Sequence, residues 1–211
     1  MAEKSRVREN PAVRRRLILD EAITLVGLLG YHGFTIQELA VRCGLTKAGL
    51  LHYFGSKEQL LVAILAERDR RDARLIPIDV ETVREEPDGR FSAETFRRII
   101  HAIAARLAAQ PELVRLETVL QVEALNPAHP AHDYFLRREA MILDEFAALL
   151  AGHVADPRGV ARLVLALFDG LAEQWLRSGQ AFDFAAEIDQ AAALLLAAAP
   201  DTRSASEGAS S

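Results

Sequence analysis

Two helix-capping patterns within residues 35–61 constrain the fold more than any other part of the 211-residue chain. Thr35 is followed three positions later by Glu38, and Ser56 is followed at the same spacing by Gln59. This spacing is that of a capping box, in which a hydroxyl and a carboxylate or amide satisfy the free N–H groups at a helix start. Each pattern precedes apolar residues at helical spacing, so each predicts the beginning of a helix.

A glycine turn lies between the two caps. Gly44 follows the last periodic residue of the first helix, where the backbone favours a left-handed residue. Thr46 is suited to cap a second short helix over Lys47 to Phe54, which Gly55 ends. The pattern therefore predicts two short helices around a tight turn, followed by a longer third helix.

The second short helix has the size and the surface of an element that enters DNA. Eight residues, Thr46 to Tyr53, span roughly 12 Å of helix, which is close to the width of the major groove. Leu50 and Phe54 are expected to be buried, and Thr35 and Lys57 begin helices whose N–H groups can face phosphates. The residues expected to face outward are Lys47, Ala48, Gly49, His52 and Tyr53.

Residues 14–72 resemble the DNA-binding domain of the TetR family of bacterial transcriptional regulators. The resemblance is carried by ILDEAITLVGLLGYHGF, TIQELAVRCGLTKAGLLHYF and GSKEQLL. One position departs from the family pattern, because many members have an aromatic residue, usually Tyr, where this chain has Leu51. One phosphate contact is therefore expected to be lost or replaced. The resemblance implies DNA contacts by Thr35, Thr46, Lys47, Gly49, His52, Tyr53 and Lys57.

The charge distribution is consistent with this interpretation. Residues 1–74 contain 13 Lys and Arg against 9 Asp and Glu, although the whole chain has a net charge of −5. Charge interactions in solution are screened within about 10 Å, so acidic residues elsewhere in the chain do not cancel this local positive charge. The N-terminal region can therefore attract phosphates. Lys4, Arg6, Arg8 and 14–16 form a basic arm and helix start, which either touches DNA or is solvated.

The whole chain has the pattern of an all-α protein of about nine helices. The expected domains are a helix-turn-helix domain over 12–72, with the motif at 35–54, and a helical effector-binding and dimerisation domain over 76–199. A polar connector is expected at 79–90 and a disordered tail at 200–211. Further helices are predicted at 92–110, 111–125, 131–154, 157–178 and 184–198.

No signal peptide pattern or apolar run of about 18 residues occurs, which predicts a cytoplasmic protein without a membrane partner. The single cysteine, Cys43, lies beside the turn glycine and is interpreted as a small core residue.

The last two predicted helices are apolar on more than one face. Residues 161–179 and 184–199 carry more apolar surface than a helix needs to cover one small core. In the TetR family the corresponding helices form a four-helix interface between two copies. The resemblance therefore implies a homodimer, whose twofold symmetry would match a palindromic operator.

The remaining helices are expected to enclose a site for a small hydrophobic or amphipathic effector, as the resemblance implies. Glu117 lies among leucines on an expected inward face, where a carboxylate needs a partner, water or a ligand. Each candidate also fits a role in the core, at the surface or in the dimer interface. The candidates are Phe96, His101, Glu117, Gln121, Tyr134, Phe168, Asp169 and Trp175.

The sequence gives little support to catalysis. It contains no nucleophile elbow, phosphate-binding loop or dinucleotide-binding motif. His129 and His132 lack the further ligands of a metal site, so no metal and no cofactor are expected. The sequence therefore predicts a DNA-binding regulator, most simply a repressor released by an effector. The alternatives are an activator of the same kind, a helical ligand-binding or interaction protein without DNA affinity and, more remotely, an enzyme.

Overall fold

The computed structural model describes residues 10–73 and 92–199, and the regular structure in these two ranges is α-helical throughout. None of the helices described there is long and apolar enough to cross a membrane. The predicted connector, the predicted tail and the arm residues Lys4, Arg6 and Arg8 lie outside these ranges. The described helices are α1 (Pro11–Gly33), α2 (Ile36–Arg42), α3 (Lys47–Phe54), α4 (Lys57–Ala73), α5 (Ala93–Ala108), α6 (Pro111–Glu123), α7 (His132–Leu150), α8 (Pro157–Arg177) and α9 (Phe184–Ala198).

Side-chain caps begin several of these helices, which explains why their starts were predictable. The Ser92 hydroxyl accepts the N–H of Thr95 at 3.0 Å at the start of α5. Asp183 accepts two N–H groups at the start of α9. The end of α7 was predicted at Val154, but the helix ends at Leu150, because Gly152 then adopts a left-handed φ of 84°.

The first hydrophobic core joins the four N-terminal helices to α6. Ile18, Leu39, Leu50 and Ile64 supply fully buried side chains from α1, α2, α3 and α4. Leu113, Leu116, Leu120, Ala124 and Ala131 belong to the same core but come from α6 and the segment after it. Helix α1 crosses α6 closely, since a Cβ atom on Gly27 would lie 3.2 Å from the backbone nitrogen of Leu116. The N-terminal helices and α6 therefore share one packed interior.

The second core is formed by α5, α7, α8 and α9. Its centre is aromatic, with the rings of Phe168 and Trp175 on α8 packed against Phe184 at 6.3 and 5.5 Å between centroids. Phe96 on α5 meets Phe146 on α7 edge to face at 6.0 Å. These helices form a bundle on the far side of α6 from α1, because Val114 of α6 packs into this core while Leu113 and Leu116 pack into the first.

Candidate nucleic-acid interface

The turn between α2 and α3 has the geometry predicted from its glycine. Gly44 adopts a φ of 63°, and its N–H donates to the carbonyl of Val41 at 3.0 Å. The N–H of Leu45 donates to the carbonyl of Ala40 at 2.8 Å. This pair of bonds is a Schellman motif, which satisfies the last carbonyls of α2 while reversing the chain. The turn thereby fixes how α3 leaves α2.

Local caps and core contacts hold α3 in place. The hydroxyl of Thr46 accepts the N–H of Gly49 at 3.0 Å, and the hydroxyl of Thr35 accepts the N–H of Glu38 at 3.0 Å at the start of α2. On the inner side of α3, Leu50 is fully buried and Phe54 nearly so, as the sequence predicts. The helix therefore presents its opposite side outward.

The outward side of α3 carries most of the residues predicted to meet DNA. Gly49 is partly covered by Thr46, while Tyr53 is half-buried and packs against the first core. Leu51, at the departing position, is also half-buried against that core, so its side chain contributes to packing. The exposed members of the predicted set are Thr35, Thr46, Lys47, Ala48 and His52. Lys47, Ala48 and His52 thus form a polar and small-residue surface on α3, next to its cap Thr46, while Thr35 lies at the start of α2.

The ammonium group of Lys57, a residue predicted to contact DNA, makes its contacts within the protein. Its ammonium group donates to the carbonyl of Phe34 at 2.8 Å and lies 4.7 and 4.5 Å from the ring centres of Tyr31 and Phe34. Burial lowers the pKa of Lys57 below its usual value. The side chain is therefore used within the protein, where it joins α4 to the end of α1. A DNA contact through its backbone N–H stays a prediction.

Two arginines of the predicted basic helix start also connect helices. The guanidinium of Arg14 donates to the carbonyl of Cys43, and that of Arg15 lies 4.9 Å from the ring centre of Phe54. Arg16 is exposed. Cys43 is half-buried, and burial raises the pKa of its thiol, which disfavours the reactive thiolate. This supports its interpretation as a structural residue.

The residues predicted to bind an effector are divided among three places. Phe96, Phe168 and Trp175 are buried in the second core. His101 is exposed on α5. The other four are polar residues near the junction of α4, α6, α7 and α8, namely Glu117, Gln121, Tyr134 and Asp169.

Glu117 is the centre of a buried ionic network at this junction. Its carboxylate forms an ion pair with Arg68 of α4 and accepts a second contact at 3.3 Å from Arg138 of α7. Burial alone would raise the pKa of Glu117, but the two guanidinium groups outweigh it and lower the pKa. Arg68 and Arg138 were missed in the sequence, because both lie in ordinary polar stretches and no local pattern marks them as buried.

Tyr134 and Asp169 flank this network. The hydroxyl of Tyr134 donates to Asp69 at 2.6 Å, and burial raises the pKa of Tyr134 to about 12. Asp169 is an exposed residue overall, yet its carboxyl group is partly shielded from water. This desolvation, together with the nearby carboxylate of Glu117, raises the pKa of Asp169 to about 6. Gln121 contacts the same carboxyl group.

A shallow apolar groove of about 380 Å³ lies between α8 and α9 on the surface of the described helices. Leu194 in this groove is 66% exposed, and Leu163 on the same helix pair is 52% exposed. Such apolar surface on the two helices matches the unpaired faces that the sequence predicts. The groove is lined by Ala166, Leu167, Gly170, Leu171, Gln174, Glu187, Gln190, Ala191 and Leu194.

Comparison with known proteins relates both parts of the chain to DNA-binding regulators. Residues 18–64 match the family model described as bacterial regulatory proteins, tetR family. The regulator BetI of Rhizobium meliloti is 31% identical over 166 residues, which cover 75% of this chain and 76% of that protein.

Solved structures share the fold at lower identity. A transcriptional regulator from Rhodococcus sp. Rha1 superposes with a TM-score of 0.69 at 19% identity, covering 88% of this chain and 97% of that one. AibR, solved in complex with isovaleryl coenzyme A and operator DNA, superposes with a TM-score of 0.65 at 21% identity. That match covers 87% of this chain and 98% of the AibR chain.

Proposed function

This chain belongs to the TetR family of DNA-binding bacterial regulatory proteins, and we propose that it binds a palindromic operator as a homodimer with one α3 in each major groove. The observation that carries the proposal is the outward face of α3. This eight-residue helix is capped by Thr46, anchored by Leu50 and Phe54, and exposes small and polar residues on its other side.

We assign the DNA contacts by chemistry. Lys47 is the exposed cation of α3 and would bind a phosphate or the O6 and N7 atoms of guanine. His52 and the hydroxyl of Tyr53 would donate to phosphates, while Ala48 and Gly49 would let the backbone approach the bases. Thr35, Thr46 and Lys57 would contribute at the starts of α2, α3 and α4.

The dimer is proposed to form through α8 and α9. The groove between them and the exposed leucines Leu163 and Leu194 supply apolar surface that a second copy would cover. Twofold symmetry would double the few base contacts that one short helix can make.

We further propose that the protein is a cytoplasmic repressor, without enzymatic activity, released by a small hydrophobic or amphipathic molecule bound among the C-terminal helices. AibR, a structural relative, was solved with both an acyl coenzyme A and operator DNA. In this chain we favour a contact region at the junction where α4 meets α6, α7 and α8. Its polar residues are Glu117, Gln121, Tyr134 and Asp169. A ligand there would differ in its affinity for the DNA-bound and free states.

Selection of genomic fragments by the full-length protein at about 50 mM salt tests DNA binding, since low salt strengthens phosphate contacts. We expect enrichment of a palindromic site, weaker binding by Lys47→Ala and weaker binding by Tyr53→Phe, which keeps the packed ring. Arg137→Ala on α7 is the matched control for loss of one exposed positive charge. Failure to enrich any site would refute the proposal, and normal binding by both α3 variants would refute the assigned orientation.

Dimerisation is tested by Leu194→Glu, which introduces a charge at an exposed position of the groove. Sedimentation should show a monomer with unchanged helicity and greatly reduced operator affinity. Leu136→Glu on α7, where the native residue is 56% exposed, is the control and should remain dimeric. A dimeric Leu194→Glu protein would place the interface elsewhere.

The effector proposal is tested by screening metabolites for release of the operator and for a rise in melting temperature. A releasing compound should lose potency against Gln121→Leu more than against His101→Ala, because His101 lies on the exposed side of α5. Equal potency against both variants would exclude the junction as the contact region.

A further inference from the structure

Helix α1 is interrupted at Gly30, just before it joins the helix-turn-helix. Gly30 has a φ of 73° and a ψ of 172°, which lie outside the helical region. The interruption changes the acceptors available to the N–H groups that follow, those of Tyr31 and His32. The chain then passes through Phe34 to Thr35, the cap of α2. The turn after Gly30 therefore leads directly into the DNA-reading helices.

A carboxylate from α6 serves as the acceptor for this turn. Glu123, the last residue of α6, accepts the N–H of Tyr31 at 2.6 Å through Oε2 and the N–H of His32 at 3.5 Å through Oε1. These bonds join residues about 90 positions apart in the chain. A charged acceptor for two backbone N–H groups makes a stronger link than a neutral one.

Gly30 and Glu123 fit each other sterically. A Cβ atom at position 30 would lie 2.8 Å from Cδ of Glu123, closer than carbon atoms approach each other. The left-handed φ of Gly30 is also costly for residues other than glycine. The glycine therefore provides both the interruption of α1 and the space for the carboxylate.

His129 encloses the carboxylate from a second side. Its side chain is fully buried, and Nδ1 accepts the N–H of Ala131 at 3.2 Å. Because Nδ1 accepts this bond, the ring carries its proton on Nε2, which lies 3.8 Å from Oε2 of Glu123, and burial lowers the pKa of the ring. The ring also packs edge to face on Tyr31 at 5.2 Å. The carboxylate is thus held in a defined place.

The turn that Glu123 binds is connected to the starts of α2 and α4. The hydroxyl of Tyr31 donates to Glu58 at 3.3 Å, and the rings of Tyr31 and Phe34 both contact the ammonium of Lys57. Phe34 immediately precedes the cap of α2. A displacement of this turn would therefore be passed to both helices that flank α3.

We propose that Glu123 is a positioning residue for DNA reading, which fixes the helix-turn-helix relative to α6 by binding the backbone of the turn that Gly30 makes possible. This inference rests on the proposed operator binding by α3. It assigns to one side chain the task of holding α3 at the angle that fits the groove.

The first test replaces Glu123 with Gln, which keeps one acceptor without charge, and with Ala, which keeps none. We expect operator affinity to be lower in Glu123→Gln than in the wild type and lowest in Glu123→Ala, where it should fall by about tenfold. Dimerisation should be unchanged. Amide hydrogen exchange at Tyr31 and His32 should accelerate selectively in the free protein. Glu173→Ala is the control, because Glu173 and Glu123 both line a surface groove between α6 and α8, whereas Glu173 pairs with Arg177 of its own helix.

The second test combines Gly30→Ala with Glu123→Ala. Gly30→Ala alone should weaken operator binding, because the methyl group displaces the carboxylate and the backbone is strained. In the Glu123→Ala protein there is no carboxylate for the methyl group to displace, so Gly30→Ala should cost less there. The loss in operator binding of the double variant should therefore be smaller than the sum of the two single losses. If Gly30→Ala does not fold, the single Glu123 variants and their amide exchange still decide the matter.

The outcomes separate this inference from the function on which it rests. Normal operator affinity in Glu123→Ala, additive losses in the double variant, or unchanged exchange at Tyr31 and His32 would each overturn the positioning role. A wild-type protein that enriches no operator would overturn DNA reading itself, and the inference with it.

Discussion

Arg68 of α4 and Glu117 of α6 form a buried ion pair, with only 4% and 18% of their side chains exposed. The pair joins the helix that follows the helix-turn-helix to the helix that crosses α1. Removing one partner of such a pair leaves a charge buried without full compensation, which is more harmful than removing both. The pair therefore offers a direct test of how firmly α4 is attached to α6.

Replacing Arg68 with Met should lower the free energy of unfolding by about 2 kcal/mol, because Arg138 still compensates part of the Glu117 charge. The combination with Glu117→Leu should cost less than the sum of the two single changes. Urea unfolding at fixed protein concentration measures both. Additive losses would show that the two side chains do not stabilise each other.

Asp169 should make stability depend on pH. Its pKa rises from 3.8 to about 6 on folding, so the folded state binds the proton more tightly and is penalised once the carboxyl ionises. The penalty is complete above pH 6 and absent below pH 3.8. Asp169→Asn should therefore stabilise the protein at pH 7.5, by about 1 kcal/mol after allowance for solvent exposure, and the gain should shrink towards pH 4. Thermal melts at both pH values measure the difference, and Glu145→Gln on α7 is the control for charge removal.

Gly44 should tolerate Asn better than Ala. No atom would meet a Cβ at this position within 4 Å, so the effect of substitution comes from its φ of 63°. Gly44→Ala should cost about 1 kcal/mol, whereas Asn adopts the left-handed region more readily and should cost less. Chemical unfolding distinguishes the variants. Equal costs would mean that the conformation of the turn does not determine its stability.

Lys57 and Lys47 should differ in how they affect DNA binding. Lys57→Met removes the hydrogen bond to Phe34 and the contacts with two rings, so we expect a loss of about 1–2 kcal/mol in stability. Operator binding should keep its slope of log affinity against log salt. Lys47→Ala should reduce that slope by about 1 without a loss of stability. A reduced slope for Lys57→Met with no loss of stability would instead show that the ammonium of Lys57 binds a phosphate.

The local parts of this structure were readable from the sequence because their causes are local. The hydroxyl caps at Thr35 and Thr46, and the turn at Gly44, involve residues within a few positions of each other. The bounds of α3 and α9 were predicted for the same reason. The outward side of α3 could then be identified by helical periodicity, and the contacts of its residues with DNA stay a prediction.

Side chains whose partners are distant in the sequence could not be placed in this way. Lys57 turns inward because folding brings the rings of Tyr31 and Phe34 to it. Glu117 was recognised as a carboxylate in need of a partner, but its partner Arg68 lies 49 positions away in α4. No local pattern marks Gly30 as an interruption of α1, because its partner Glu123 lies far along the chain in α6.

The core that α6 shares with α1 bears on how such regulators diversify. Leu113, Leu116 and Leu120 complete the interior of the four N-terminal helices. Residues 10–73 produced alone would expose the surface that these leucines cover and would be prone to aggregate. A chimaera that keeps this DNA-binding part would therefore need α6 to be transferred together with α1–α4, because the five helices share one interior.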